Sequence, residues 1–293
     1  MFGVGRRGPA CAACRSPAAT GRSLASLRAR SRSLPGATLE TREMSPPRDS
    51  ATPDLWVCQL GLVPYPQAVS IQETMRGRRL AGEVPDMLLL LEHPRVYTRG
   101  RRSQEGELPL GESFYRAQGI EVLDTDRGGR ITFHGPGQLV GYPIMRIEHI
   151  DSYLRTMEDA ISVALATHGI SARGRPLDGP DYTGVWVGER KIASIGVHVS
   201  HGVTTHGFAV NVENDLEPFS WVVACGLPGV HMTSVASELG AARAPSLACF
   251  RREMAYRFCQ AHGRRARLKT PPRLGIAAVP VPARIPAVQA VAA

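Results

Sequence analysis

Val185-Trp-Val-Gly-Glu-Arg-Lys-Ile-Ala-Ser-Ile-Gly-Val-His-Val199 decides the fold. Apolar runs flank Gly188-Glu-Arg-Lys191, a turn-like sequence, so the stretch predicts two strands joined by a hairpin. Val203–Val212 follows closely and predicts a third strand. Neighbours joined this way do not make a doubly wound sheet, whose parallel strands are separated by helices. Working outward, Asp151–His168 reads as a helix, with Leu154, Met157, Ile161 and Leu165 on one face and Gly169 to end it. Gln67–Leu80 and Ser246–Gln260 have helical spacing too, through Ala68, Ile71 and Met75 and through Leu247, Phe250, Met254 and Phe258. Met87–Leu91, Val96–Thr98, Ile120–Leu123, Arg130–Phe133 and Leu139–Ile144 read as strands. The expected class is α+β, one domain with a mixed β-sheet and flanking helices.

The chain of 293 residues is 43% hydrophobic and 21% charged, enough apolar material for a sizeable core. No apolar run approaches the ~20 residues of a membrane span. The net charge of +9 is uneven: residues 1–43 and 263–293 each carry +6, which leaves −3 for residues 44–262. A nucleic-acid binder carries its positive charge on the folded surface, so no nucleic-acid partner is expected. Residues 1–50 form an Arg-rich leader expected to be disordered, with Met44 as an alternative start. Residues 51–262 are expected to form the folded domain, and residues 263–293 a disordered basic, Pro/Ala-rich tail. Six cysteines scattered without a signal-peptide core suggest a reducing compartment. Cys11-Ala-Ala-Cys14 has no second pair nearby, so no metal site is expected.

Nucleophile elbows, phosphate loops and His-Glu-x-x-His are absent from the sequence. Gly135-Pro-Gly137 with Gly141 is not a dinucleotide fingerprint, because the third glycine is one place too far and a strand follows instead of a helix. His198 and His201 would point to opposite faces of a strand. Three features remain. The segment from Arg127 to Pro143 is rich in glycine, which lets backbone approach a ligand. Cys225-Gly226 follows the apolar run Trp221–Ala224, placing a thiol at a strand end with backbone N–H groups beside it for an oxyanion. Lys191 is one of only two lysines among 35 basic residues; unlike Arg, Lys can give up its proton when buried. Cys249 and Cys259 fall on a helix and read as inert core.

Taken together, Arg127-Gly-Gly-Arg-Ile-Thr-Phe-His-Gly-Pro-Gly-Gln-Leu-Val-Gly-Tyr-Pro, Lys191-Ile-Ala-Ser-Ile-Gly, Thr205-His-Gly-Phe-Ala-Val-Asn-Val, Ala224-Cys-Gly and Met232-Thr-Ser-Val resemble the lipoyl(octanoyl) transferase family. The resemblance covers roughly Leu55–Ala261. It implies a fold similar to the catalytic domain of biotin and lipoate protein ligases. It also implies transfer of an octanoyl group from octanoyl-acyl carrier protein to a lysine ε-amine. The implied acceptors are lipoyl domains of 2-oxoacid dehydrogenase E2 subunits and the glycine cleavage H protein. No cofactor is implied. The location would be the cytoplasm, or the mitochondrial matrix if the leader is a transit peptide.

Residue by residue, Cys225 matches the acyl-thioester nucleophile and Lys191 its partner. Arg127, Gly128, Gly129, Arg130, Ile131, Thr132, Phe133, His134, Ser194, Ile195, Gly196, Gly207, Phe208 and Ala209 match segments that wall the acyl pocket. A cation beside a thiol favours the thiolate, although the lower basicity returns most of that gain as weaker nucleophilicity. Lys191 is therefore expected to act also as the base for the incoming amine. Arg95, Arg99, Arg101 and Arg102 form a candidate rim for an acidic carrier protein. The alternative is an ATP-dependent lipoate-protein ligase, which needs no cysteine nucleophile.

Overall fold

The computed structural model describes residues 52–277. Strand β1 (Asp54–Leu62) leads into helix α1 (Tyr65–Leu80) and then β2 (Met87–Glu92) and β3 (Val96–Arg99). After α2 (Glu112–Ala117) come β4 (Glu121–Asp124), β5 (Thr132–His134), β6 (Gln138–Ile144) and α3 (Ile150–Ala166). The chain continues through β7 (Arg173–Gly174), β8 (Gly184–Val187), β9 (Arg190–Ser200) and β10 (Val203–Asn211). It ends with β11 (His231–Met232), α4 (Val235–Leu239), α5 (Leu247–Ala261) and β12 (Arg265–Lys269).

The larger sheet runs β12-β1-β2-β6-β10-β9-β8-β7, with β11 added against β9, and a separate sheet runs β4-β3-β5. β1 is parallel to both β2 and β12, whereas β2, β6, β10, β9 and β8 are antiparallel neighbours. This is the mixed α+β architecture expected from the hairpin.

The apolar run in β2 serves both faces of the sheet. Leu88 and Leu90 pack with Met157, Ile161, Phe250 and Phe258 on the α3/α5 side. Met87, Leu89 and Leu91 pack with Met75, Tyr142 and Ile144 on the α1 side. A strand buried on both faces reads as a continuous apolar run instead of an alternating one. α3 ends as expected: Gly169 takes φ +84° and Ile170 N–H returns to the Leu165 carbonyl. α5 starts at Ser246, whose hydroxyl accepts the Cys249 N–H.

Two expectations are corrected. The boundary at residue 262 is too early: Arg265–Lys269 pairs with β1, and Leu274 and Ile276 are buried in the α1-side core. The reason is that β12 is an edge strand held by backbone pairing, with Arg265 and Arg267 both bridged to Asp54, so it shows no apolar alternation. The second concerns the hairpin. β9 begins at Arg190, so the turn is only Gly188-Glu189 and Lys191 is a strand residue. The leader, Cys11, Cys14 and the end of the tail lie outside the described residues.

Candidate active site

Lys191 is buried by a β-bulge. Val185 pairs with Ala193 but Trp186 pairs with Lys191, so Ile192 is an extra residue on β9. Bulges re-aim side chains, and here the strand's face alternation shifts at the lysine. The Lys191 side chain is 2% exposed, lies over the Trp186 ring at 5.2 Å and donates from Nζ to Cys225 Sγ at 3.2 Å.

Cys225 is not at a strand end, as the sequence suggested. It sits in a 3-10 turn, Ala224–Gly226, with φ +58° and ψ +13°. A left-handed conformation at a non-glycine residue costs on the order of 1 kcal/mol and needs surrounding structure to hold it. That support comes from the residue before β5 and from the loop between β3 and α2: the Cys225 N–H donates to the Ile131 carbonyl at 3.1 Å, and Val223 N–H to that of Glu107 at 3.0 Å. Gly226 N–H donates to Val223 at 3.0 Å. The backbone donors of Cys225 and Gly226 are thus both spent, which corrects their expected availability for an oxyanion.

Both side chains open onto a cavity of about 230 Å³. Of the residues assigned to the acyl-pocket wall, Arg127–Thr132, His134, Ser194–Gly196 and Gly207–Ala209 line this cavity. Phe133 does not. It points into a separate small core, with its ring 5.6 Å from Tyr97 and 5.5 Å from Phe219. Strand alternation explains this, because Thr132 and His134 face the cavity while the residue between them faces away. Backbone closes one side: Gly128 N–H donates to the Val197 carbonyl at 2.9 Å, and a Cβ on Gly196 would stand 2.6 Å from the Gly128 carbonyl oxygen.

Arg127 and His134 give the remaining wall polar groups. Arg127 is buried and bonds the Thr98 carbonyl at 2.6 Å and the Thr98 hydroxyl at 2.8 Å; burial holds its pKa below the ordinary guanidinium value. His134 Nδ1 donates to Gln138 Oε1 at 2.7 Å, since the Gln138 amide nitrogen is committed to Phe133 O and Asn211. Burial pushes the His134 pKa well below the ordinary value. His134 therefore contributes a neutral imidazole to the wall, and its ring bonds Gln138, not Lys191.

Sequence reasoning missed Tyr65, Tyr142, His206, Asp181 and Thr183, all of which line the cavity. Tyr142 and His206 lay inside the quoted blocks and could have been read from them. His206 carries a further signal visible only in three dimensions: φ +56° in mid-strand, with Nε2 bonded to Asp126 at 2.8 Å. The Arg rim is also altered by the fold. Arg95 pairs with Asp215, Arg99 with Asp124 and Arg102 with Asp181, so much of its charge is matched internally.

Cys58 and Cys259 show what a silent cysteine looks like here: burial pushes each thiol up to about 11. Among the described residues, no three His, Cys, Asp or Glu side chains gather as a metal site. No described helix is long and apolar enough to cross a membrane.

The model of the lipoyl protein ligase A/B catalytic domain family matches residues 64–259. The octanoyltransferase of Rubrobacter xylanophilus is 48% identical over 184 residues, covering 61% of this chain and 81% of that protein. That of Solibacter usitatus is 49% identical over 173 residues, covering 58% and 77%. A solved lipoate-protein ligase A bound with ATP superposes with a TM-score of 0.59 at 19% identity, covering 74% of this chain and 88% of its own; that likeness speaks for the fold. The chain belongs to the lipoyl protein ligase A/B catalytic domain family, on its octanoyltransferase side. It is an acyltransferase that moves octanoyl groups in protein lipoylation.

Proposed function

We propose that the chain takes octanoyl from octanoyl-acyl carrier protein and passes it to a lysine of a lipoyl domain, through a thioester on Cys225. The acceptors are lipoyl domains of 2-oxoacid dehydrogenase E2 subunits and the glycine cleavage H protein. The observation that carries this reading is the 3.2 Å hydrogen bond from a buried ammonium to a buried thiol at the wall of a cavity. The catalytic domain runs from β1 to the buried turn after β12, and the compartment is the bacterial cytoplasm.

The resting pair is a Cys225 thiolate beside the Lys191 ammonium. Sγ attacks the octanoyl thioester carbonyl, the C–S bond to the carrier breaks, and the leaving thiolate takes a proton from Lys191. Lys191 is then a neutral amine beside an uncharged thioester, as a general base requires. The acceptor amine attacks, its proton passes to Lys191, and the Cys225 thiolate leaves. The amide is formed and the resting charges are restored. Walls from Arg127–Thr132, Ser194–Gly196 and Gly207–Ala209 hold the chain, each buried CH₂ contributing ~0.8 kcal/mol.

Intact mass tests this directly. Mixed with octanoyl-acyl carrier protein and no ATP, the protein gains one octanoyl group; Cys225→Ala gains none, and a lipoyl domain discharges the adduct. Absence of the adduct, with activity only on octanoate plus ATP, would mean a ligase.

A further inference from the structure

Glu158 is a buried carboxylate that this mechanism leaves without a task. It sits on α3, is 2% exposed, and accepts hydrogen bonds from Gly184 N–H at 2.9 Å through Oε1 and from Arg155 through Oε2. A buried carboxylate is costly unless paired and hydrogen-bonded, and the sequence makes room for this one. A Cβ on Gly174 would stand 2.3 Å from Glu158 Oε2. The next contact repeats the device: at Gly184 a Cβ would stand 2.8 Å from Lys191 Cε. Two bare glycine positions thus accommodate two charged side chains in series, and the second charge reaches Cys225.

The charged groups facing Glu158 are Arg155 and Asp159 from its own helix and Lys191 from β9. Lys191 is faced by Cys225 Sγ, by the Trp186 ring from β8 and by Glu158 from α3. Arg127, Arg130 and Asp181 line the same cavity. Burial raises the Glu158 pKa, while the Gly184 N–H and the cations of Arg155 and Lys191 act against that rise.

We propose that Glu158 is a positioning residue for the Cys225–Lys191 pair: it holds the Gly184 peptide against which the lysine stem lies and faces the ammonium with a fixed negative charge. This rests on Cys225 and Lys191 being the reacting pair. A nearby carboxylate favours the charged amine, so the resting ammonium, and with it the thiolate, is maintained until acylation removes the thiolate charge.

The chain contains two lysines, Lys191 and Lys269, so ¹⁵N-lysine labelling gives a readable spectrum and Lys269→Arg assigns it. Glu158→Gln keeps an oxygen for Gly184 N–H and removes the charge. In that variant the Lys191 signal titrates about half a pH unit or more below wild type. The acidic limb of acyl discharge to the lipoyl domain moves the same way, and Cys225 is still octanoylated. An unmoved titration and unmoved limb overturn the proposal even if Tm falls, because a purely structural carboxylate would change Tm alone. Should Glu158→Gln fail to fold, Gly174→Ala displaces the carboxylate while keeping it, and the Lys191 titration again moves to lower pH; no movement overturns the proposal. A wild-type protein that never forms the octanoyl adduct refutes the pair instead, and the Lys191 titration still reports on Glu158 separately.

Discussion

The α-carbon of Gly184 stands against the side chain of Lys191, so that a methyl group there would lie 2.8 Å from Lys191 Cε and 2.3 Å from the Ala193 carbonyl oxygen. Gly184 also holds φ +139°, which L side chains rarely adopt. The lysine reaches Cys225 because this position is bare. Gly184→Ala is expected to push the stem off line and slow Cys225 octanoylation by about 10²-fold, the usual scale for a misplacement near 1 Å. Single-turnover intact mass measures it; an unchanged rate would show that Lys191 does not need this approach.

Lys191→Arg separates charge from proton transfer. Arg keeps a cation near the thiol but does not give up a proton at working pH. Octanoylation of Cys225 should persist within about tenfold, because the carrier thiolate can leave unprotonated and take its proton from water, while discharge to a lipoyl domain should fall by about 10²- to 10³-fold, within the range of a lost general base. The two half-reactions are followed separately by quenched-flow mass spectrometry. Equal losses in both steps would deny Lys191 a special part in the second.

How much of this was legible follows from which interactions are local. The strands and helices around Lys191 could be read because their apolar periods are set by neighbours in sequence. β12 could not, since Arg265–Lys269 is held by backbone pairing to a strand from the other end of the domain. Cys225 and Lys191 were visible as residue types, yet the bulge at Ile192 that buries the lysine depends on register between two strands. Phe133 was assigned to the pocket by its block, and only the alternation of β5 shows that it turns away. Glu158 gave no signal, because an acidic residue on an amphipathic helix ordinarily faces water.

Burial of neutral imidazole makes stability depend on pH. His93 Nδ1 bonds the Val63 carbonyl at 2.6 Å and Nε2 bonds the Tyr142 hydroxyl at 2.7 Å; burial lowers its pKa from 6.5 to about 4. The unfolded chain therefore binds a proton that the folded chain refuses across this window. Stability is fully present above about pH 6.5 and is lost as pH falls towards about 4, reaching about 3 kcal/mol for this residue. The lowered His134 and His206 pKa values act in the same direction. Urea denaturation at pH 7 and pH 5 should show a loss of about 2 kcal/mol or more, and His93→Gln should flatten the slope. A flat wild-type profile would rule out a neutral buried cluster.

Ala209 and Phe133 were both read as pocket wall, and the fold assigns them different work. Ala209 lines the cavity, opposite Val140 in the sheet register. Ala209→Leu takes space from the acyl chain, so the longest substrates lose most. At ~0.8 kcal/mol per buried CH₂, exclusion of two methylenes moves the preference from octanoyl towards hexanoyl thioester by about tenfold or more. Phe133→Ala instead empties a core position beside Tyr97 and Phe219 and should cost about 3–5 kcal/mol of stability. Its chain-length preference should stay that of wild type, because the ring points away from the cavity. Competition between hexanoyl and octanoyl donors, read by intact mass on Cys225, distinguishes the two. A changed preference in Phe133→Ala with wild-type selectivity in Ala209→Leu would place the slot on the opposite side of β5.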